Sequence, residues 1–406
     1  MNILFVHQNF PGQFRYLAPA LAARGDQVVA MGMRDFAGAP GIRFVRSRVD
    51  IAGVRGGHPW TRDLDAKVIR GQASLAAARA LDAEHFVPDI IIAHPGWGES
   101  LFLKEIWPRA RLGLYCEFHY AATGADLGFD PEFPVVDPIE AACRISLRNL
   151  NSLLHIQIAD QGISPTYWQA SRFPGPFRQH ITVVHDGIDT DAMRPDSGMT
   201  LCLGDSLSLG PKDEVITFVS RNLEPYRGYH VFLRALPELL ARRPRAHVLI
   251  VGGDATSYGA PPPEGKTWKG LFFDEVRDRI DQSRVHFLGR VPYGQYRALL
   301  QRSSVHVYLT YPFVLSWSLM EAMAAGCAIA ASDTAPVREM IRDGETGRLF
   351  PFFAGGALVE QVCALLDSPD ERKRLGANAR AFVRDQHDLR RICLPRQLAW
   401  IDKLAG

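Results

Sequence analysis

Short apolar runs alternate with stretches of helical periodicity along almost the whole chain. Residues 3–7, 28–31 and 90–94 are apolar runs of strand length, while residues 14–24 and 65–85 repeat their apolar positions at helical spacing. Runs that are apolar on both faces, joined by helical segments, predict parallel strands with helices covering both sides of the sheet. The first series closes with a strand at 156–159, a helix near 166–173 and a strand at 181–185. Residues 194–212 are rich in Pro, Gly, Ser and Asp without helical period and read as a linker. A second series follows: strands at 215–220, 246–252, 285–288, 305–309 and 328–331, and helices at 229–242, 272–281, 293–302 and 356–366, with another opening near Ser316. The fold class expected is α/β, with two doubly wound units.

In such sheets ligands lie beyond the carboxyl ends of the strands, where loops meet helix N-termini. That directs attention to the loops at 7–13, 94–99, 116–124, 220–228 and 311–318. A chain of 406 residues exceeds what one hydrophobic core usually supports, which agrees with two units. The balance of 46 basic against 44 acidic residues argues against a dedicated nucleic-acid binder. Six scattered cysteines, with neither CxxC nor zinc spacing, read as thiols of a reducing cytoplasm. The opening MNILFVHQNF enters a strand at once and does not read as a signal peptide, and no apolar run is long enough to span a bilayer.

Two junctions carry chemistry. In SRNLEPYRG, Arg221 ends a strand and Arg227 stands before Gly228, where a helix begins. Two guanidinium groups at a strand-to-helix junction suit a diphosphate, because each presents a fork of donors and keeps its charge. In VLSWS, Ser316 or Ser318 can cap a helix whose free N–H groups and positive end would face the same anion. Glu321, early on that helix, could accept hydrogen bonds from two ribose hydroxyls.

These segments resemble the GT-B glycosyltransferases, and among them the large retaining family 4. SRNLEPYRG is similar to the family's GRL-x-x-x-KG, with Arg227 in place of the usual lysine, and HDGIDTDAMRP to its NGVD-x-x-x-F-x-P segment. LMEAMAAGCAIAASDTAPVREMIRDGETGRLF matches the family's long LEAMA…E…G-x-L pattern without a gap, and LFVHQNFPGQF fits its first strand and glycine loop. The resemblance implies a GT-B fold, two Rossmann-like domains facing a central cleft. An N-terminal acceptor domain (1–194) and a C-terminal nucleotide-sugar domain (195–385) are expected, with a helix (386–406) returning to the first.

The function implied is retaining transfer of a sugar from a nucleoside diphosphate to a hydroxyl of a glycan, glycolipid or glycoprotein. A UDP-sugar is favoured, a GDP-sugar is compatible, and neither metal nor cofactor is called for. Arg221, Arg227 and His119 are the expected catalytic residues. Gly12, Gln13, Arg290, Leu315, Ser316, Trp317 and Glu321 are expected at the donor, and His94, Trp97 and Glu117 at the acceptor. One departure stands out. The family's first glutamate, which in the family touches the donor sugar and is separated from the second by seven intervening residues, falls on Phe313. Another side chain takes over, or the sugar differs, as a deoxysugar would, or activity has been lost.

The DxD string Asp189-Thr190-Asp191 lies inside the segment leading out of the first domain, where a metal site is not expected. Residues 34–79 hold nine Lys/Arg against four Asp, a patch that could rest on an anionic bilayer at the inner face of the plasma membrane and meet a lipid-linked acceptor. The other readings are a nucleotide-sugar 2-epimerase and a nucleotide-sugar-binding partner without catalysis.

Overall fold

The computed structural model describes residues 1–49, 57–204 and 207–406. The chain forms two compact units, Met1–Gly187 together with Arg390–Gly406, and Ile188–Leu389. The first unit holds the strands β1 (Asn2–Val6), β2 (Gln27–Gly32), β3 (Ile42–Arg46), β4 (Ile90–Ala93), β5 (Arg111–Tyr115), β6 (Gln161–Ser164) and β7 (Ile181–Val183). They pair in parallel in the order β3-β2-β1-β4-β5-β6-β7. Two clusters of buried residues cover its faces: Phe5, Ile92 and Leu21 belong to one, Leu4, Ile91 and Leu81 to the other. Alternate residues of β1 thus enter opposite cores, as the period of a strand requires.

In the second unit a two-stranded hairpin, β8 (Leu201–Leu203) and β9 (Leu207–Leu209), precedes β10 (Val215–Asn222), β11 (His247–Gly253), β12 (Val285–Gly289), β13 (Val305–Tyr308), β14 (Ile329–Ser332) and β15 (Arg348–Phe350). The last six pair in parallel in the order β12-β11-β10-β13-β14-β15. In each sheet the winding reverses once, between β1 and β4 in the first and between β10 and β13 in the second. Both units are doubly wound, Rossmann-like sheets.

Several expectations are corrected. The run 156–159 is the last turn of a helix, Pro138–Ile158, and the strand lies just beyond it at Gln161–Ser164. Asp137 starts that helix by accepting the N–H groups of Ile139 and Glu140, each at 2.9 Å. The helix expected at 272–281 is earlier and shorter, Trp268–Asp274, because Thr267 caps it. The expected linker contains the β8–β9 hairpin, although residues 205 and 206 lie outside the described residues, as do 50–56 of the basic segment. In that segment Arg43, Arg46 and Lys67 are ion-paired with Glu84, Asp35 and Asp63. No helix among the described residues is long and apolar enough to cross a membrane.

A turn at Leu389–Cys393 and the helix Leu394–Ala405 bring the chain back to the first unit. Trp400, Ile401 and Leu404 enter its core, and Gly113 of β5 makes room for them: a Cβ there would lie 2.6 Å from Leu404 and 2.7 Å from Trp400. Of the six cysteines, Cys116, Cys327, Cys363 and Cys393 are buried and none is in a disulfide.

Candidate functional site

The reversal between β1 and β4 places His7 and His94 side by side, each one residue past a strand end. Their rings lie 5.4 Å apart and are almost fully buried. Backbone bonds decide which nitrogen carries the proton. His7 Nδ1 accepts the Asn9 N–H at 2.9 Å and His94 Nδ1 the Gly96 N–H at 3.1 Å, so in neutral rings both protons sit on Nε2. His7 Nε2 then donates to Gln13 Oε1 (2.8 Å), Gln13 Nε2 donates to Glu117 Oε1 (2.8 Å), and His94 Nε2 donates to Glu117 Oε2 (3.2 Å). Burial, aided by the neighbouring His94, pushes the His7 pKa down to about 3 and keeps its ring neutral.

The surrounding residues fix this chain of bonds. Trp97 stacks on His94 with centroids 4.3 Å apart, and Tyr115 stacks at 5.7 Å while its hydroxyl donates to Asp186 at 2.8 Å. Gly12 has φ +47°, and a Cβ there would fall 2.4 Å from the His7 ring, so only glycine lets the loop carry Gln13 over that histidine. Gly12 and Gln13, expected at the donor, are brought together here with His94, Trp97 and Glu117, expected at the acceptor. His119 is not among them: its ring lies 5.6 Å from Phe173, and its buried Nδ1 has no hydrogen-bond partner among the described residues. Burial, with Arg172 nearby, lowers its pKa. His7 was missed, and its position at the first strand end, on the reversal, was the signal that could have found it. Close by, Glu99 is buried with neither carboxylate oxygen partnered among the described residues, and burial raises its pKa to about 7.

The same unit holds a cavity of about 250 Å³ lined by Trp60, Asp63, Leu64, Arg144, Leu147 and Arg148. The Arg148 guanidinium sits 3.7 Å above the Tyr120 ring.

In the second unit the reversal lies between β10 and β13. SRNLEPYRG is one residue longer than the eight-residue motif it resembles, and β10 absorbs the excess: Val219 pairs with Val251 and Asn222 with Gly253, three steps against two. Arg221, in this irregularity, is exposed. Arg227 is buried, and its Nη1 donates to Thr310 Oγ1 (2.7 Å) and the Val314 carbonyl (2.9 Å). Burial works against its charge, but Tyr308, Tyr258 and Glu224 hold its pKa above the ordinary value. Arg290 is exposed and donates to Asn222 Oδ1 at 3.2 Å.

Thr310 and Val314 belong to the loop that enters the helix Trp317–Ala324. Ser316 caps this helix by accepting the Ser318 N–H at 3.3 Å, while its own N–H donates to Tyr308 at 2.9 Å. Leu315 is half-buried and Trp317 exposed on either side of it. Glu321, one turn along, accepts the hydroxyls of Tyr293 (2.9 Å) and Tyr296 (2.8 Å). Phe313 is buried, 5.5 Å from the Tyr226 ring and 4.9 Å from the Tyr258 ring. In the DxD string, Asp189 closes a turn by accepting the Ala192 N–H at 2.9 Å.

Residues 24–193 match the Glycosyl transferase family 4 group, and residues 206–382 match the Glycosyl transferases group 1. The chain belongs to the family 4-like glycosyltransferases of GT-B fold. The chain is 32% identical over 176 residues to the phosphatidyl-myo-inositol mannosyltransferase of Mycolicibacterium smegmatis, a match spanning 42% of the chain and 40% of that relative. It is 29% identical over 237 residues to a D-inositol 3-phosphate glycosyltransferase of Streptomyces scabiei, spanning 56% and 51%. Among solved structures it superposes on sucrose-phosphate synthase from Thermosynechococcus elongatus with a TM-score of 0.72 and 18% identity, over 99% of both chains. Anabaena Alr3699/HepE, solved with UDP and glucose, gives 0.68 and 16%, again over 99% of both. At such identities the likeness is one of fold, and it puts the chain among GT-B proteins along its full length.

Proposed function

We propose that this family 4 chain moves a sugar from a nucleoside diphosphate to a hydroxyl acceptor, with retention at the anomeric carbon and no resident metal. The observation that carries the reading is the pairing of a buried, charge-holding Arg227 with the Ser316-capped helix end at the strand reversal of the second unit. A diphosphate at that reversal would meet a fixed guanidinium and free backbone N–H groups. As the bond from anomeric carbon to diphosphate oxygen breaks, negative charge grows on the phosphate, and preorganised donors stabilise it. Arg227 and the helix end supply this field, with the exposed Arg221 and Arg290 reaching in from solvent. Glu321, oriented by two tyrosines, accepts the ribose hydroxyls.

The first unit takes the acceptor. Glu117, held from both sides by Gln13 and His94, is a carboxylate fixed in place to bind an acceptor hydroxyl. The leaving phosphate oxygen takes that hydroxyl's proton as the new carbon–oxygen bond forms. His119 is set aside as a catalytic group in favour of this cluster. The names of the relatives point to phosphorylated or lipid-linked polyols as acceptors, and the cavity beside Arg144 and Arg148 suits a ligand with an anionic group and an apolar part. A UDP-sugar leads among donors, because UDP occupies a structural neighbour of the same fold.

The test is a panel of UDP-, GDP- and dTDP-sugars incubated with the protein without added metal, followed through the anomeric proton by NMR. Release or transfer of an α-sugar from an α-linked donor is expected, with Arg227→Ala lowering the rate by about a hundredfold or more. The second reading, a binder without catalysis, is motivated by Phe313. It predicts tight nucleotide binding with no turnover of any donor, and turnover that disappears in Arg227→Ala refutes it.

A further inference from the structure

Residues 254–266, between β11 and the helix Trp268–Asp274, are fastened to the Arg227 motif. Glu224, a carboxylate only 1% exposed, accepts the backbone N–H groups of Ser257 and Tyr258, each at 3.0 Å. Asn222 Nδ2 adds a bond to Ser257 Oγ at 2.6 Å. A buried carboxylate is costly unless its hydrogen bonds are made, and here they are made to a segment more than thirty positions away in sequence. The loop is therefore a docked part of the wall.

Docking sets Tyr258 edge-to-face on Phe313, with centroids 4.9 Å apart, and places its ring 5.1 Å from the Arg227 guanidinium carbon. Tyr226 covers Phe313 from another side at 5.5 Å. Where the resemblance expects a carboxylate that touches the donor sugar, three aromatic rings stand. Glu224 cannot replace that carboxylate, since its oxygens hold the loop.

We propose that Tyr258, held by Glu224 over Phe313, is the donor-specificity residue, and that the donor is a deoxysugar nucleotide turning a C–H or methyl group to this wall. The proposal rests on the donor reading above. An apolar wall favours the deoxy sugar over its hydroxylated parent by about ten- to a hundredfold, the limit set by leaving one hydroxyl without a partner.

The full-length protein is titrated calorimetrically with UDP, GDP and dTDP, then with the hexose diphosphate of the nucleotide that binds and with its 3-, 4- and 6-deoxy counterparts. One deoxy donor is expected to bind more tightly than the parent by the factor given. Tyr258→Ala brings the ratio of deoxy-donor to parent affinity close to unity, and the bare-nucleotide affinity of the same variant is the baseline against which both donors are read. Tyr258→Phe, which keeps the ring and guards against a folding defect, retains the preference. Phe313→Glu in the Tyr258→Ala background turns it toward the hydroxylated parent. A parent bound as well as every deoxy form, or equal weakening of both by Tyr258→Ala, overturns the proposal and leaves the donor reading intact. Failure of all three nucleoside diphosphates to bind removes the donor reading itself, and the proposal with it.

Discussion

At the residue scale, the cluster of the first unit acts through its bond directions. Glu117 receives one N–H from Gln13 and one from His94, and it is this pair of donors that fixes its oxygens. Glu117→Gln presents an amide where two donors already point, and transfer is expected to fall by about tenfold to a hundredfold, consistent with loss of one positioned group. On the proposed reading, in which the second unit takes the donor, nucleotide binding measured by calorimetry should stay unchanged. His7 gives a pH signature. Its folded pKa of about 3 is far below the ordinary 6.5, so between those values the unfolded chain binds the extra proton. The stability it contributes is present above pH 6.5 and is lost as pH falls toward 3. His7→Asn should narrow the stability gap from wild type over that window in urea melts read from pH 7 to pH 4. Glu99 works in the opposite sense: its pKa raised to about 7 favours the fold below pH 4.5 and loses that contribution as pH climbs through 7.

At the element scale, the strands and the helices that follow motif loops were legible, because a run such as Ile90–Ala93 is apolar on both faces and the Ser316 cap is written in VLSWS. The helix Pro138–Ile158 was not. Its exposed Ile139, Leu153 and Leu154 blur the apolar stripe, and its end, Ile156 to Ala159, imitates a strand. Partnerships formed across the fold were equally hidden. Arg227 was legible as a charge at a junction, but that Thr310 and Val314 would hold it, and that His119 would turn toward Phe173, depends on contacts far along the chain. Gly113 is such a contact as well. Gly113→Ala presses a methyl group into Trp400 and Leu404 and should cost about 1–3 kcal/mol in urea unfolding, with the loss confined to the first unit.

At the scale of the whole molecule, the two places where the chain passes between units run side by side. Ile188 and Asp388 form a bridge, Ile188 N–H donates to His387 (2.9 Å), Leu389 N–H donates to Ile188 (2.9 Å), and Thr190 bonds to Asp388. Removing that last bond by Asp388→Ala leaves the buried Thr190 hydroxyl without this partner and should lower stability by about 1–3 kcal/mol, read as a shift of the second unit's melting. The first unit is discontinuous in sequence and the second is not. During synthesis, therefore, Ile188–Leu389 can finish folding while its predecessor still lacks Trp400, Ile401 and Leu404. The sheet that was made first waits, its β5 face open to chaperones and proteases, until some two hundred further residues have left the ribosome.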